Sequence, residues 1–290
     1  MPNIEVRMNS STNSPSFLMG TSVLSQIVVG ILICVVLYII LLSVELVYKS
    51  FKAVSGTRVD ILPLTVAASD KMRNYEQNPQ VKGALLLPLS DNERSGAEFS
   101  YSFFIWIDPS SFKNGDQGLL HILHKGHPVP YPLLGPGIFL HSNTNTLRVY
   151  MNSSKTWNNH VDIENIPVKK WVHIVVIARD NSIEVYINGN LKNKMKITDG
   201  VLYQNFGNLY LFNQRPLMLI DSMADKIPSL NGEDLRIFGT YNGNFSNLVY
   251  FSYSLSYTEI QSLMGLGPSS KTDKRSEDEP PYLKDTWWTN

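Results

Sequence analysis

The chain has 290 residues, and 25 Lys plus Arg are balanced by 25 Asp plus Glu, so its formal net charge is zero. That balance excludes the basic excess on which nucleic-acid binding ordinarily depends. The single cysteine, Cys34, excludes an intrachain disulfide and fits a reducing compartment.

Residues 1–21 are rich in Asn, Ser and Pro and read as a disordered polar tail. Residues 22–48 read as a transmembrane helix. Its centre, residues 27–44 (IVVGILICVVLYIILLSV), has eighteen residues without a charge, fourteen of them Ile, Leu or Val. As a helix it spans about 27 Å, close to a bilayer's hydrocarbon core. Those fourteen side chains favour insertion by roughly 4 to 8 kcal/mol. Core helices are rarely apolar on every face over this length. No basic cluster precedes the run and no small-x-small cleavage site follows it, so the sequence predicts an uncleaved anchor. Gly30 lacks a small partner four positions on, so no GxxxG pairing face is present. Arg7 lies before the run, and Lys49, Lys52 and Arg58 lie after it. The positive-inside rule then places the C-terminal domain in the cytoplasm. On that side the Asn152 and Asn244 glycosylation sequons are chance matches; a third lies at Asn9.

Residues 49–80 read as a connector, with a short capped helix over SDKMRNYEQNP that begins at Ser69 or Asp70 and stops at Asn78-Pro79. From residue 81 the period changes to two. Phe99, Tyr101, Phe103 and Ile105 share one face of a strand that Asp108-Pro109 ends. Strands are expected at 119–123, 137–141, 147–152, 171–178, 182–188, 208–213, 234–238 and 245–253. In the 182–188 strand, Ile183, Val185 and Ile187 point in while Glu184 and Tyr186 point out. Asn188-Gly189 predicts a two-residue hairpin with Leu191 opening the return strand. One late helix is expected over 256–264, with Ser256 as N-cap and Glu259 completing a capping box. Many short strands with turn residues between them predict an all-β sandwich or barrel.

Residues 166–191, IPVKKWVHIVVIARDNSIEVYINGNL, resemble the middle of a concanavalin A-like jelly roll of the laminin-G type, with Trp171 opening a central strand, His173 two residues on and Asn188-Gly189 closing the next. EFSYSFFIWIDP resembles that family's first core strand, and HILHKG the next, where Lys-Gly closes the strand. The closing strand and helix are matched by FGTYNGNFSNLVYFSYSLSYTEIQSL. The resemblance implies a jelly-roll domain over 81–266, followed by a charged tail, 267–290, that ends in Trp-Trp. The anchor, LSDNERSGAEFSYSFFIWI, GLGPSSK and the PPYLKDTWW ending also resemble membrane-anchored virion proteins of large DNA viruses. That second resemblance implies an internal virion membrane and capsid proteins as partners.

Some members of the jelly-roll superfamily are glycoside hydrolases of the laminarinase type. Their retaining chemistry needs two carboxylates about 5 to 5.5 Å apart. The nearest match is His160-Val-Asp162-Ile-Glu164, where His160 occupies the nucleophile's place, so Asp162 and Glu164 read as solvent-facing strand residues. His121, His124 and His127 recur every three residues, but on a strand the first two point to opposite faces, which argues against zinc. His173 reads as a satisfied core or half-buried residue beside Trp171. The resemblance leaves calcium open; Asp116, Asp221, Asp225 and Asp234 sit in loops without a diagnostic spacing, so no cofactor is assigned. Tyr131, Trp157 and Tyr241 are loop aromatics available for a glycan or protein partner, and Trp287 and Trp288 for docking into a groove or headgroup layer.

These readings combine into a single-pass membrane protein carrying a non-catalytic jelly-roll sandwich. It tethers a protein partner to a bilayer, as a virion component joining an internal membrane to the capsid would. The alternatives are a lectin-like glycan receptor with its domain outside the cell, and a glycoside hydrolase.

Overall fold

The computed structural model describes residues 23–90, 96–112, 115, 117–220 and 234–273. The expected tail over 1–21 and the Trp287-Trp288 pair lie outside the described residues. The chain divides into two compact units, Met1–Gly56 and Thr57–Asn290.

The first unit holds helix α1, Val23–Thr57. Its stretch Gln26–Val47 is long and apolar enough to cross a membrane and has no buried residue. A membrane span and a signal sequence both meet that criterion.

The second unit is two packed sheets. The smaller has six strands, which in spatial order are β1 (Arg58–Ala67), β14 (Gly243–Phe251), β3 (Phe99–Ile107), β8 (Trp171–Arg179), β9 (Ser182–Ile187) and β10 (Asn190–Lys196). The larger runs β12 (Leu217–Leu219), β13 (Leu235–Thr240), β4 (Leu119–Gly126), β5 (Leu134–His141), β6 (Leu147–Met151) and β7 (Asn159–Ile163). β11 (Asn208–Leu211) pairs with β4 and with β2 (Arg73–Tyr75). Period-two alternation aims Tyr101, Phe103 and Ile105 of β3, Val172, Ile174 and Val176 of β8, and Ile138 and Leu140 of β5 into one core. Phe103 stacks on Phe245 at 5.0 Å between ring centres. Each such side chain contributes about 1.5–3 kcal/mol by leaving water.

Asn188 and Gly189 both have positive φ, 49° and 74°, as a type I′ hairpin requires, and β10 begins at Asn190. Helix α2, Tyr257–Leu266, opens on the expected capping box between Ser256 and Glu259. It lays Ile260 and Leu263, with Leu255 before it, over Val175, Ile177, Tyr186, Val249 and Phe251 on the outer face of the smaller sheet.

Three sequence readings change. First, residues 49–80 are not a connector with a short helix. α1 runs to Thr57 and the edge strand β1 follows directly, while Arg73–Tyr75 is extended and pairs with β11. β1 accommodates Pro63 because its pairing with β14 is irregular between Leu62 and Thr65. Second, the sandwich does not end at residue 266. The Thr65 N–H donates to the Lys271 carbonyl at 2.7 Å, and Arg73 pairs with Asp273, so this segment covers part of β1's free edge. Third, Glu184 and Tyr186 lie on the outward side of β9 and are nonetheless buried. Arg179 and Lys194 each reach Glu184 at 2.8 Å, the Tyr186 hydroxyl donates to it at 3.0 Å, and Tyr186 joins the cluster beneath α2.

Candidate functional site

The outer face of the larger sheet has no covering helix among the described residues. Strand registry sets its rows. One runs His121, Phe139, Arg148, Asp162 across β4 to β7, and the next runs His124, Gly137, Tyr150, His160.

His121 and His124 do not point to opposite faces. The pairing of β4 with β5 slips between His121 and Leu123, so Ile122 is an extra residue and both Ile122 and Leu123 enter the core. That bulge returns the two imidazoles to one side, with His121 Nε2 and His124 Nδ1 2.6 Å apart. The Asn213 N–H donates to His121 Nδ1 at 3.0 Å, and His124 Nε2 lies 2.7 Å from the His127 carbonyl oxygen. The carbonyl and the amide fix both tautomers: His121 donates to His124, and His124 donates to His127. Burial holds both imidazoles neutral, pushing His121 well down and His124 down to about 4. With every ring nitrogen of the pair engaged, this is a structural relay. Among the described residues no group of three His, Cys, Asp or Glu is placed to hold a metal. Asp234 pairs with Arg236, while Asp116, Asp221 and Asp225 lie outside the described residues.

The Lys-Gly that closes β4 has a physical reason. Lys125 is buried and its Nζ donates to the carbonyls of Asn205 (2.8 Å) and Gly207 (2.7 Å); burial lowers its pKa to about 8. A Cβ on Gly126 would lie 1.8 Å from the Leu133 carbonyl oxygen, so no other residue fits where β4, β5 and β11 meet.

Asp162 faces outward as expected, one third exposed, but it is not available as a base. Arg148 donates to it twice, Nε to Oδ1 at 2.7 Å and Nη2 to Oδ2 at 2.6 Å. Partial burial would raise its pKa, and the hydrogen bonds and charge of Arg148 outweigh that and hold it well below the usual carboxylate range. Glu164 follows the end of β7 and is exposed. His160 sits beside the Tyr150 ring, 5.2 Å between centres.

Two cavities open on this face. The first, about 340 Å³, is lined by Gln117, Gly118, Leu119, His141, Arg148, Asp234 and Arg236. The second, about 610 Å³, lies among the rim loops between Pro132, Asn152–Trp157 and Tyr203. Trp157 lines it and makes an edge contact with Tyr131 at 5.1 Å and a stacked one with Tyr150 at 6.0 Å. Trp157 is nearly buried and Tyr131 half-buried, so of these three rings Tyr131 offers the most surface to a partner. Tyr241 does not belong to the surface. It is fully buried in the core, its ring near Phe212 and its hydroxyl donating to the Asn244 carbonyl.

The polar residues of the first cavity were not singled out from the sequence. Alternation along LRVYM places Arg148 and Tyr150 on one face, which is the signal a reading could have used. Bringing Arg236 from β13 beside them depends on a parallel pairing with β4 that no local pattern encodes.

Comparison with known proteins gives the following. No curated protein matches the chain. Similar solved structures include the receptor-binding domain of botulinum neurotoxin C/D mosaic serotype, 12% identical with a TM-score of 0.41, covering 59% of this chain and 36% of that one. The botulinum neurotoxin serotype G binding domain is 14% identical with a TM-score of 0.43, covering 72% and 46%. A Trypanosoma rangeli sialidase bound to the inhibitor DANA is 15% identical with a TM-score of 0.37, covering 58% and 22%. The chain spans less than half the length of each of these three. Residues 83–217 match the model of the concanavalin A-like lectin/glucanases superfamily, so the sheets described above are a concanavalin A-like jelly-roll β-sandwich.

Proposed function

We propose that this protein is a membrane-tethered, non-catalytic binding protein, which holds its sandwich at a bilayer through α1 and recognises a partner on the open face of the larger sheet. The observation that carries the reading is that face itself. It has two cavities, and its outward carboxylate at the hydrolase-like position, Asp162, is held in both oxygens by Arg148. A nucleophile or base needs a free lone pair aimed at substrate, and His160 occupies the place of the missing carboxylate. The adaptor case, a virion component joining an internal membrane to a capsid protein, is one form of this tethering and takes its support from the resemblance noted above.

The sequons favour the cytoplasmic side. Asn152 is buried, its Oδ1 accepting from the Leu134 N–H at 2.8 Å and its Nδ2 donating to the Pro132 carbonyl at 2.9 Å. A glycan on Nδ2 would break that second bond and has no room at a 2% exposed side chain. Ser246 of the other sequon is fully buried and bonded to Thr65 and Ser269. Asn244 itself is half-buried, so the closed Asn152 sequon is the one that supports a cytoplasmic domain.

The test is carbonate extraction with protease treatment of sealed vesicles. The chain should stay in the membrane pellet, and protease added to the cytoplasmic side should digest the sandwich. Release by carbonate would overturn the tether. Protection from protease would favour a receptor with its domain across the membrane. Hydrolysis of a β-glucan, lost in Asp162→Asn, would restore the enzyme reading.

A further inference from the structure

We propose that the end of the sandwich at which β1 begins is itself a membrane-seating surface, whose loops place Val129, Val201, Tyr203 and Phe206 among lipid headgroups and acyl chains. The proposal rests on the tethered reading above and adds a second contact with the same bilayer.

Strand registry fixes which loops share that end. Arg58, the first residue of β1, pairs with Phe251 of β14; Phe251 pairs with Ser100 of β3, and Ser100 with Ile177 of β8. Just past that row β8 ends at Arg179, and Asp180-Asn181 turns into β9. The Asn181 side chain holds the segment that follows β10. It donates to the carbonyls of Ile197 (2.8 Å) and Gly200 (3.1 Å) and accepts from the Leu202 N–H (2.7 Å). Leu202 bridges Ser153, and Lys125, near the end of β4, donates to the carbonyls of Asn205 and Gly207. Loops 127–133, 152–158 and 197–207 therefore gather at the end where the chain enters the sandwich.

These loops expose large apolar side chains. Phe206 is 77% exposed, Val201 59%, Val129 50% and Tyr203 37%. At the opposite end, Met72 apart, residues 68–72, 108–112, 142–146, 164–170 and 212–216 expose no large apolar side chain. The exposure does not come from slack backbone. Buried Lys125 holds the carbonyls on both sides of Phe206, and Ser154 holds both the N–H and the carbonyl of Val201, at 3.0 and 2.8 Å. Pinned loops that aim apolar groups outward gain by meeting an apolar surface. Chain continuity says which surface. Residues 48–57 join the apolar stretch of α1 to Arg58 and reach at most about 36 Å when fully extended, which keeps this end within reach of the bilayer. Lys155 and Asp199 in these loops pair with each other at 3.3 Å, so the contact is carried by apolar side chains and needs no anionic lipid. Tyr203 has the apolar body and polar hydroxyl of an interfacial anchor.

The test is fluorescence quenching from within the lipid. The full chain with Cys34→Ser carries one fluorophore, at Val201→Cys or, at the opposite end, at the exposed Thr144→Cys, in phosphatidylcholine vesicles doped with doxyl lipid. The label at 201 should lose about half its emission and the label at 144 almost none, and added salt should change neither. Val129→Asp combined with Phe206→Asp should restore the emission at 201, with the circular dichroism unchanged and the chain still floating with the vesicles. A label at 201 that stays bright in floating chains would overturn the proposal and leave the tether standing. Equal quenching at 201 and 144, or quenching that survives the two aspartates, would do the same. A label at 201 that lipid does not quench, but that crosslinks to a second copy of the chain, would assign this end to self-association instead. Chains that do not float would remove the tether, and this proposal with it.

Discussion

The two outer faces of the sandwich are closed in different ways. On the smaller sheet α2 covers Val175, Ile177, Tyr186, Val249 and Phe251, a cavity of about 280 Å³ remains among Arg58, Phe104 and Leu263, and Glu184, 1% exposed, is met by Arg179, Lys194 and Tyr186. On the larger sheet the outer layer is closed by side chains instead of a helix: Leu119, Phe139, Tyr150, Trp157, Leu235 and Ile237 form a buried cluster, and the Arg148–Asp162 and Arg236–Asp234 pairs line a cavity of about 340 Å³. Both faces come from alternating strands of similar composition, so alternation alone does not tell a sealed face from a working one. Ten residues of helix and their cap close the outer side of the smaller sheet, where the larger sheet uses its own strand and loop side chains.

Acid should break both faces and is the largest expected effect. Burial pushes His124, on the open face, and His173, on the sealed face, each down to about 4. An unfolded histidine takes up its proton near pH 6.5. Between that pH and about 4 the unfolded chain binds more protons, so stability is full above 6.5 and falls as the pH drops. A gap of that width is worth about 3 kcal/mol for each histidine. Denaturant midpoints of the full chain at pH 7 and pH 4.5 measure it. His173→Gln should remove the sealed face's share and His124→Gln the open face's. If neither variant changes the pH dependence, the carboxylates carry it instead.

Ile260→Ala comes next. Ile260 is fully buried under α2, and its truncation should cost about 2–5 kcal/mol through lost burial and a cavity. Arg236→Gln on the open face should cost under about 0.5 kcal/mol, because its ion pair is about a third exposed on each side. Equal losses in thermal melts would erase the contrast between a structural and a binding face.

Much of the sandwich was legible because its cues are local. The FSYSFFIWI alternation, the Asn188-Gly189 turn and the Ser256–Glu259 box each act within a few residues. β1 was hidden because Pro63 reads as a breaker, and only its place at the sheet edge, with irregular pairing, makes it tolerable. The histidine pair was misplaced because one inserted residue, Ile122, changes which side the next residues face, and period two cannot report a bulge. Tyr241 was misread because a turn aromatic looks the same in sequence whether it packs inward or outward. The arginine cleft was missed because β6 and β13 contribute to it from different parts of the sheet.

Asp162→Asn is expected to have a similarly small effect. Asp162→Asn replaces a carboxylate held by Arg148 in a pair whose members are 22% and 33% exposed, so solvent screening limits its value to about 1 kcal/mol or less. The substitution also removes a negative charge beside the first cavity and releases a guanidinium hydrogen, since an amide offers one acceptor oxygen where the carboxylate offers two. The melting temperature should therefore fall only slightly. On the sealed face Glu184→Gln has no such second effect: it loosens Arg179 and Lys194 without opening a site, and only stability should change. Parallel melts of the two variants make the contrast quantitative. If Asp162→Asn costs as much stability as Glu184→Gln, burial of the carboxylate, 1% exposed at Glu184 and 33% at Asp162, does not set the worth of these pairs.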